Sequence, residues 1–342
     1  MNWFRPHISH LVAYSSARDE YTGKAGLFLD ANENPFPQAF NRYPDPHQKE
    51  LKEALAKRKG LATEQIFIGN GSDEAIDLLI RACCSPQVER ICICSPTYSM
   101  YAVSARLQNV EIVDVPLSEA FQLNTQSLIE KAKDCPLIFL CSPNNPSGNL
   151  LHREDIIRVL ENCSGLVVID EAYIDFADVA SWTEFLSSYS NLIVLQTFSK
   201  AWGLAGLRLG VAYAQPQIIQ VLNTLKPPYN VSDHTQQKGL ESLDNELRVQ
   251  NEVMQLVEER KRVARLLNSL HSVLKVFPSD ANFLLFQVSH ASTLYNFLLE
   301  RGIVLRNRSQ IIPNTLRVSI GTPSENDYFI SQMKQYEKDI IY

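Results

Sequence analysis

A lysine near the middle of the chain stands where a side chain could do covalent chemistry. Lys200 follows an apolar run at 191–195 that predicts a buried strand, and it precedes a glycine-rich turn. A lysine drawn into a cleft either covers apolar surface with its stem or uses its amine. Used as a nucleophile, it would form a Schiff base with an aldehyde cofactor whose phosphate Thr197, Ser199 and Arg208 could hold. The alternative is a strand–turn–helix junction with a solvated lysine.

Two stretches upstream carry groups that suit the same cofactor. Apolar residues 167–169 lead to Asp170 at the predicted end of a strand, with Tyr173 three positions further on. A carboxylate there could pair with a protonated pyridine nitrogen, which makes the ring an electron sink. Another predicted strand runs into the turn 142–148, in which Asn145 could donate to the phenolic oxygen of the ring. Each short motif alone is usually structural. The three motifs occur in this order and each follows a predicted strand, which favours a cofactor site.

A possible phosphate cradle and a possible stacking ring precede these motifs. Gly71, Ser72 and Asp73 lie between a predicted strand and a predicted helix, where backbone N–H groups and the helix dipole point at an anion. The alternative is an ordinary loop in which Ser or Asp caps the helix. Tyr98 follows the next predicted strand and could either stack on a planar cofactor or lie in the core.

The order of predicted elements indicates an α/β fold. Strands alternate with helices over the first two thirds of the chain, which predicts a mostly parallel sheet in a large three-layer domain. Ligands of such sheets bind beyond the carboxyl ends of strands, where the candidate residues fall. A long helical pattern at 246–270 leads to predicted strands at 282–287 and 315–320 and a helix near 292–301, a small α+β domain.

Two arginines belong to apolar strands of this smaller unit. Arg306 and Arg317 could bind a carboxylate or phosphate through their planar guanidinium forks. A single arginine more often forms a structural salt bridge, and that alternative stays open.

Composition restricts the class of protein. The chain has 342 residues, 45% of them hydrophobic, and a net charge of −6 without a basic run, so nucleic acid is not an expected partner. We expect no membrane partner either, because no apolar segment approaches the roughly 18 residues of a bilayer span. The N-terminus lacks the apolar core of a signal peptide. Seven cysteines without a paired Cys-x-x-Cys predict free thiols in a reducing cytoplasm and no metal site.

Taken together, the motifs resemble those of fold-type-I pyridoxal-phosphate (PLP) aminotransferases of the class I/II group. Within that group they are most similar to the histidinol-phosphate aminotransferase family. The resemblance runs from about residue 14 to residue 321, and the stretches that carry it are 32–35, 41–44, 69–74, 95–98, 142–148, 170–173, 199–208 and 316–319. Two positions depart from the family pattern, since Ser147 replaces the commoner threonine and Trp202 stands where a smaller aromatic is expected.

The resemblance implies an activity and a set of site residues. The activity is reversible amino transfer between L-histidinol phosphate and 2-oxoglutarate, giving imidazole-acetol phosphate and L-glutamate, with Lys200 as the catalytic residue. The implied PLP-binding residues are Gly71, Ser72, Asp73, Tyr98, Asn145, Asp170, Tyr173, Thr197, Ser199, Lys200, Arg208 and Tyr43. The implied substrate-binding residues are Tyr14, Asn32, Arg306 and Arg317.

The resemblance also implies an assembly and a domain division. It predicts a homodimer with shared active sites, in which Tyr43 reaches the cofactor phosphate of the other subunit and Tyr14 contacts the substrate phosphate. The predicted division is an N-terminal arm with part of the small domain at 1–35, the large PLP-binding domain at 36–245 and the small domain at 246–342.

Other activities would use the same motifs. One alternative is an aminotransferase for aromatic amino acids, and another is a threonine-phosphate decarboxylase, which releases CO₂ instead of transferring the amine. A member of a different class would be a PLP-binding sensor without turnover. The sensor is disfavoured because 342 residues leave no room for an appended DNA-binding domain and the lysine site looks complete.

Overall fold

A seven-stranded sheet forms the larger part of the molecule. The structure is a computed structural model that describes residues 3–12, 15–16 and 27–341. In chain order the strands of this sheet are β1 (Ile66–Asn70), β2 (Arg90–Ile93), β3 (Glu111–Asp114), β4 (Leu137–Cys141), β5 (Leu166–Asp170), β6 (Leu192–Thr197) and β7 (Leu209–Ala214). Their spatial order is β1-β7-β6-β5-β4-β2-β3. Strand β7 is antiparallel to both of its neighbours and the other pairs are parallel.

Helices follow most of these strands. They are α1 (Lys49–Lys59), α2 (Ser72–Cys83), α3 (Met100–Leu107), α4 (Thr125–Lys131), α5 (Arg153–Asn162), α6 (Pro216–Leu225) and α7 (Asp233–Asp244). A longer helix, α8 (Glu246–Asn268), leads away from the sheet. None of the helices in the described ranges combines the length and apolar character that crossing a bilayer requires.

The sheet is covered on both faces, as its sequence pattern requires. Because successive strand side chains point to opposite faces, Val167 and Ile169 of β5 pack in one core while Leu166 and Val168 pack in the other. Helices α1, α4 and α5 contribute to the first core, and α2, α3 and α6 to the second. These layers confirm the predicted α/β class with its mostly parallel sheet.

A second, antiparallel sheet lies in the C-terminal part of the chain. It contains β8 (Val273–Val276), β9 (Phe283–Val288), β10 (Arg306–Asn307) and β11 (Thr315–Ser319), in the spatial order β10-β11-β9-β8. One face packs on α8, α9 (Ala291–Glu300) and α10 (Pro323–Ile341) around a separate apolar core. The opposite face carries Phe283 and Leu285, and Phe283 joins the first core of the large sheet.

Strand register brings the candidate residues to one edge of the large sheet. Cys141 at the end of β4 is paired with Asp170 at the end of β5, and Asp170 is paired with Leu195 of β6. Thr197, the last residue of β6, is paired with Gly210 of β7. The carboxyl ends of three neighbouring strands therefore open into one cleft.

Candidate active site

The cleft at these strand ends is centred on Lys200. Its lining brings together most of the residues that the motifs predict, namely Ser72, Asp73, Tyr98, Asp170, Tyr173, Thr197, Ser199, Lys200 and Arg208, together with Cys141 and Ala172. Motifs separated by more than a hundred residues thus meet because parallel strands end on the same side of the sheet.

The amine of Lys200 lies in an environment that lowers its pKa. Its Nζ lies 5.6 Å from the ring centroid of Tyr173, and part of the side chain is open to solvent. Desolvation by the surrounding protein lowers the pKa of Lys200, and the positive charge of Arg317 lowers it further, while Asp170 opposes the shift. A lysine in this environment carries a larger fraction of neutral, nucleophilic amine at neutral pH than a surface lysine does.

Asp170 is a buried carboxylate at the floor of the cleft. Its side chain is only 2% exposed, and it accepts hydrogen bonds from the Tyr101 hydroxyl at 2.6 Å and the Ala172 N–H at 3.1 Å. Burial raises the pKa of Asp170 to about 6, although both hydrogen bonds act in the opposite direction. An incompletely compensated carboxylate of this kind is suited to a cationic partner.

Tyr101 is a functional residue that the motifs did not reveal. It is fully buried in α3, its ring is stacked on Phe139 at 4.7 Å, and its hydroxyl points at Asp170. The signal available in the sequence is its closeness to Tyr98, and the two tyrosines lie on either side of the start of α3. Their centroids are 5.5 Å apart in an edge-to-face arrangement.

A hydrogen-bonded chain connects the second sheet to the cleft. Arg317 Nη1 donates to Oδ1 of Asn145 at 2.6 Å, and Nδ2 of Asn145 donates to the Tyr173 hydroxyl at 3.5 Å. Because Arg317 occupies the amide oxygen, the amide nitrogen of Asn145 faces the Tyr173 hydroxyl. Desolvation raises the pKa of Tyr173, so its phenol stays protonated.

The predicted phosphate cradle has the geometry of an anion site. Gly71 precedes helix α2 with φ 77° and ψ 164°, a backbone conformation essentially restricted to glycine. A Cβ at this position would lie 2.6 Å from Nη2 of Arg208, so the absent side chain leaves room for the guanidinium. Nη1 of Arg208 donates to the Ser199 hydroxyl at 3.3 Å, and Thr197 Oγ1 donates to the same oxygen at 3.1 Å.

Asp73 takes part through its side chain as well as its backbone position. Its carboxylate accepts from the Tyr98 hydroxyl at 3.0 Å and from Nη2 of Arg208 at 3.5 Å. The first bond fixes the Tyr98 ring at the wall of the cleft, and the second holds the guanidinium over the start of α2.

These groups fit pyridoxal phosphate. The buried Asp170 suits a protonated ring nitrogen, and the Asn145–Tyr173 pair suits a phenolic oxygen on the same ring. The start of α2, two hydroxyls and the Arg208 guanidinium suit a phosphate. The Lys200 amine supplies the nucleophile that an aldehyde cofactor requires.

Three predicted site residues of the described ranges, Asn32, Tyr43 and Arg306, do not line this cleft. Asn32 and Tyr43 line a different pocket in the single chain, and the Tyr43 ring is stacked on Tyr229 at 4.4 Å. Arg306 is paired with Arg317 across β10 and β11, and both arginines line a pocket of the second sheet. Tyr14 lies outside the residues that the structure describes.

Comparison with known proteins identifies the family of the chain. The sequence profile described as "Aminotransferase class I and II" matches residues 30–333, which is most of the chain. The chain belongs to the class I and II aminotransferase family. A histidinol-phosphate aminotransferase of Parabacteroides distasonis is 52% identical over 333 residues, which cover 96% of this aminotransferase and 96% of the relative.

Two further relatives extend the comparison. A histidinol-phosphate aminotransferase of Bacteroides fragilis is 49% identical, with 97% of this aminotransferase and 98% of the relative covered. The crystal structure of the histidinol-phosphate aminotransferase from Clostridium acetobutylicum superposes with a TM-score of 0.82 at 26% identity. That superposition covers 88% of this aminotransferase and 92% of the other chain.

Proposed function

We propose that this aminotransferase uses PLP to transfer the amino group of L-histidinol phosphate to 2-oxoglutarate, giving imidazole-acetol phosphate and L-glutamate, a step of histidine biosynthesis. The observation that carries the proposal is the joint presence of a complete lysine site and near-full-length similarity to histidinol-phosphate aminotransferases. When bound, PLP supplies the carbonyl that accepts the amino group and a ring that takes up electrons from the substrate carbon.

Lys200 is the group that moves the proton. Its Nζ, with a pKa lowered by desolvation and by Arg317, removes the proton from the substrate carbon that carries the nitrogen. The adjacent positive charges of Arg317 and Arg208 favour the neutral amine that this step requires.

The other residues bind and orient. Asp170 keeps a proton on the ring nitrogen, and Tyr101 fixes the orientation of its carboxylate. Asn145 and Tyr173 donate toward the phenolic oxygen. The start of α2 with Thr197, Ser199 and Arg208 anchors the cofactor phosphate. We assign Ser72 and Asp73 to the same phosphate anchor, and we assign Tyr98 to stacking on the face of the cofactor ring.

The substrate anion is assigned to the second sheet. Arg317 is half-buried, lies 4.9 Å from the Phe283 ring centroid and reaches the cleft through Asn145, so it can bind an anion close to Lys200. Arg306 is exposed beside it, and we assign both to the substrate phosphate or carboxylate, together with Asn32 and Tyr14.

The proposal includes the assembly of the active enzyme. We assign a cytoplasmic homodimer in which Tyr43 completes the cofactor site of the neighbouring subunit. An exposed apolar surface at 27–43 supports a subunit contact there, because Phe36 and Phe40 are 72% and 67% exposed in the single chain. We assign an N-terminal arm with part of the small domain to 1–35, the large domain to 36–245 and the small domain to 246–342. The separate cores of the two sheets support the division between the last two.

Product analysis tests the proposed reaction. The purified enzyme with PLP, L-histidinol phosphate and 2-oxoglutarate should form L-glutamate and imidazole-acetol phosphate in equal amounts. Parallel reactions with an aromatic amino acid and with threonine phosphate are the controls. Release of CO₂ from threonine phosphate without any need for an oxo acid would contradict the proposal, and so would a clear preference for the aromatic substrate.

A further inference from the structure

Three arginines share one face of the second sheet. Arg306 is paired with Arg317 across β10 and β11, and the N–H of Arg308 continues the ladder by donating to the Thr315 carbonyl at 3.0 Å. Because strand side chains alternate, positions 306 and 308 lie on the same face, with 317 opposite 306. That face also carries Phe283 and is directed at the large sheet, since Arg317 bonds to Asn145.

The three guanidinium groups have no acidic partner among the residues that the structure describes. None of Arg306, Arg308 and Arg317 forms an ion pair with a carboxylate in that part of the chain. The Nε atoms of Arg308 and Arg317 are buried without a hydrogen-bond acceptor within the same ranges. Arg308 is half-buried, and desolvation lowers its pKa together with the like charges of Arg317 and Arg306.

An uncompensated cluster of three positive charges matches a doubly charged anion better than a singly charged one. Buried charges are normally paired, so the half-buried Arg308 and Arg317, whose Nε atoms lack an acceptor, indicate an anionic ligand. A phosphate monoester carries close to two negative charges at neutral pH and three acceptor oxygens, whereas a carboxylate carries one charge and two oxygens. Arg306 and Arg317 suffice for a carboxylate, and a third fork adds contacts that only a phosphate can use fully.

We propose that Arg308 is a specificity-determining residue that favours a phosphate ester over a carboxylate in the substrate subsite. The inference rests on the proposed function and deepens it. L-Histidinol phosphate enters the first half-reaction with its phosphate, and L-glutamate or 2-oxoglutarate presents only carboxylates in the second. Arg308 therefore acts mainly on the first half-reaction.

The two half-reactions of the PLP-loaded enzyme can be measured separately by the absorbance change of the bound cofactor. Arg308→Gln should lower the apparent second-order rate constant with L-histidinol phosphate about 10- to 100-fold, the range of a hydrogen bond to a charged group. With L-glutamate the same variant should stay within about 3-fold of the wild type. Arg308→Lys, which keeps the charge but loses the fork, should recover part of the loss.

The matched control is Arg265→Gln, which removes an exposed arginine from α8 in the same part of the chain. It should leave both half-reactions unchanged.

A pH series adds a measurement that would not change if Arg308 had only a structural role. The second pKa of a phosphate ester is about 6, so the wild-type advantage over Arg308→Gln should shrink as the pH is lowered from 7.5 to 5.5.

Several outcomes would overturn the inference. Equal losses of rate in both half-reactions would mean that Arg308 does not distinguish the two substrates. Lower thermal stability of Arg308→Gln with unchanged selectivity would mean that Arg308 has only a structural role. A wild-type enzyme that does not react with L-histidinol phosphate would refute the proposed function itself. In that case calorimetric titration of the PLP-loaded proteins with inorganic phosphate and with acetate still tests Arg308. If the wild type and Arg308→Gln then show the same preference for phosphate over acetate, the inference is refuted.

Discussion

The substitution Tyr101→Phe tests whether the second layer of the site controls the charge of Asp170. It removes one hydroxyl, which donates to Oδ2 of Asp170 at 2.6 Å, and keeps the ring that is stacked on Phe139. The residue is fully buried and Asp170 is 2% exposed, so water does not readily replace the lost donor. We therefore expect the protein to fold while the pKa of Asp170 rises.

The size of the shift follows from the hydrogen bond. A bond to a charged group contributes about 1.5–3 kcal/mol, and one pKa unit corresponds to 1.36 kcal/mol, so about 1–2 units are expected. Burial already raises the pKa of Asp170 to about 6. In the variant it should reach about 7–8, so that at pH 7 the ionised fraction falls from about nine tenths to between about one half and one tenth.

The assay is the dissociation constant of PLP for the cofactor-free protein between pH 5.5 and 8.5. Asp170 must be ionised to hold the protonated ring nitrogen, so affinity should fall as the pH drops through the pKa of this group. The fall should begin about 1–2 pH units higher in Tyr101→Phe than in the wild type. Titration of the cofactor phosphate is common to both proteins and cancels in the difference.

Two results would refute the reasoning about Tyr101. Superimposable pH profiles would mean that the hydroxyl does not set the charge of Asp170. A uniform loss of affinity at every pH would indicate a packing effect of the substitution. Asp170→Asn is the reference, because its profile should lack the contribution of the carboxylate.

Further predictions concern the amine, the cradle and the buried acid. Lys200→Ala should lower turnover at least about 10²- to 10⁴-fold, the usual contribution of a positioned acid–base group, while circular dichroism stays unchanged; activity near the wild-type level would contradict the assignment. Gly71→Ala should weaken PLP binding about 10- to 100-fold, because φ 77° with ψ 164° strains a side-chain-bearing residue by about 1–3 kcal/mol and the new Cβ meets Arg208; an unchanged dissociation constant would count against the cradle. Asp170→Asn should abolish turnover yet stabilise the cofactor-free protein. Burial raises the pKa of Asp170 from 3.8 to about 6, so ionisation destabilises the fold by up to about 3 kcal/mol above pH 6, and this cost disappears below pH 3.8. Urea unfolding should therefore show a larger gain at pH 8 than at pH 5, and equal gains at the two pH values would refute the linkage.

The parallel part of the fold could be predicted because it depends on local patterns. Short apolar runs that each end in a turn, such as 137–141 and 166–170, predicted the strand that precedes the Asn145 turn and the strand that ends at Asp170. The antiparallel insertion of β7 between β1 and β6 could not be predicted in this way. It depends on pairings between residues more than a hundred positions apart, such as Ile68 with Val211.

Some elements lacked a usable pattern. Strand β10 has two residues and β8 has four, two of them exposed, so neither shows a clear alternation. Helices α3, α6, α7 and α10 were not predicted. In α7 only Thr235, Gln236, Gly239 and Ser242 are buried, so the helix buries polar and small residues where a periodic search expects apolar ones.

The site was predictable where a motif is contiguous and was missed where partners are distant. Lys200 and Arg208 lie in one stretch with Thr197 and Ser199, and their contacts followed from proximity. Tyr101 acts on a residue 69 positions away, and its place in an apolar helix resembles that of an ordinary core residue. The role of Arg308 could not be predicted, because its position beside Arg317 depends on the register of β10 and β11, which the sequence does not show.

The most direct test of the proposed reaction is the visible absorbance spectrum of the PLP-loaded enzyme during one half-reaction. L-Histidinol phosphate without an oxo acid should convert the yellow cofactor band to the spectrum of the aminated cofactor, and 2-oxoglutarate should restore it. Lys200→Ala should show no such cycle. A wild-type spectrum that stays unchanged on addition of L-histidinol phosphate, but responds to an aromatic amino acid, would contradict the proposed function.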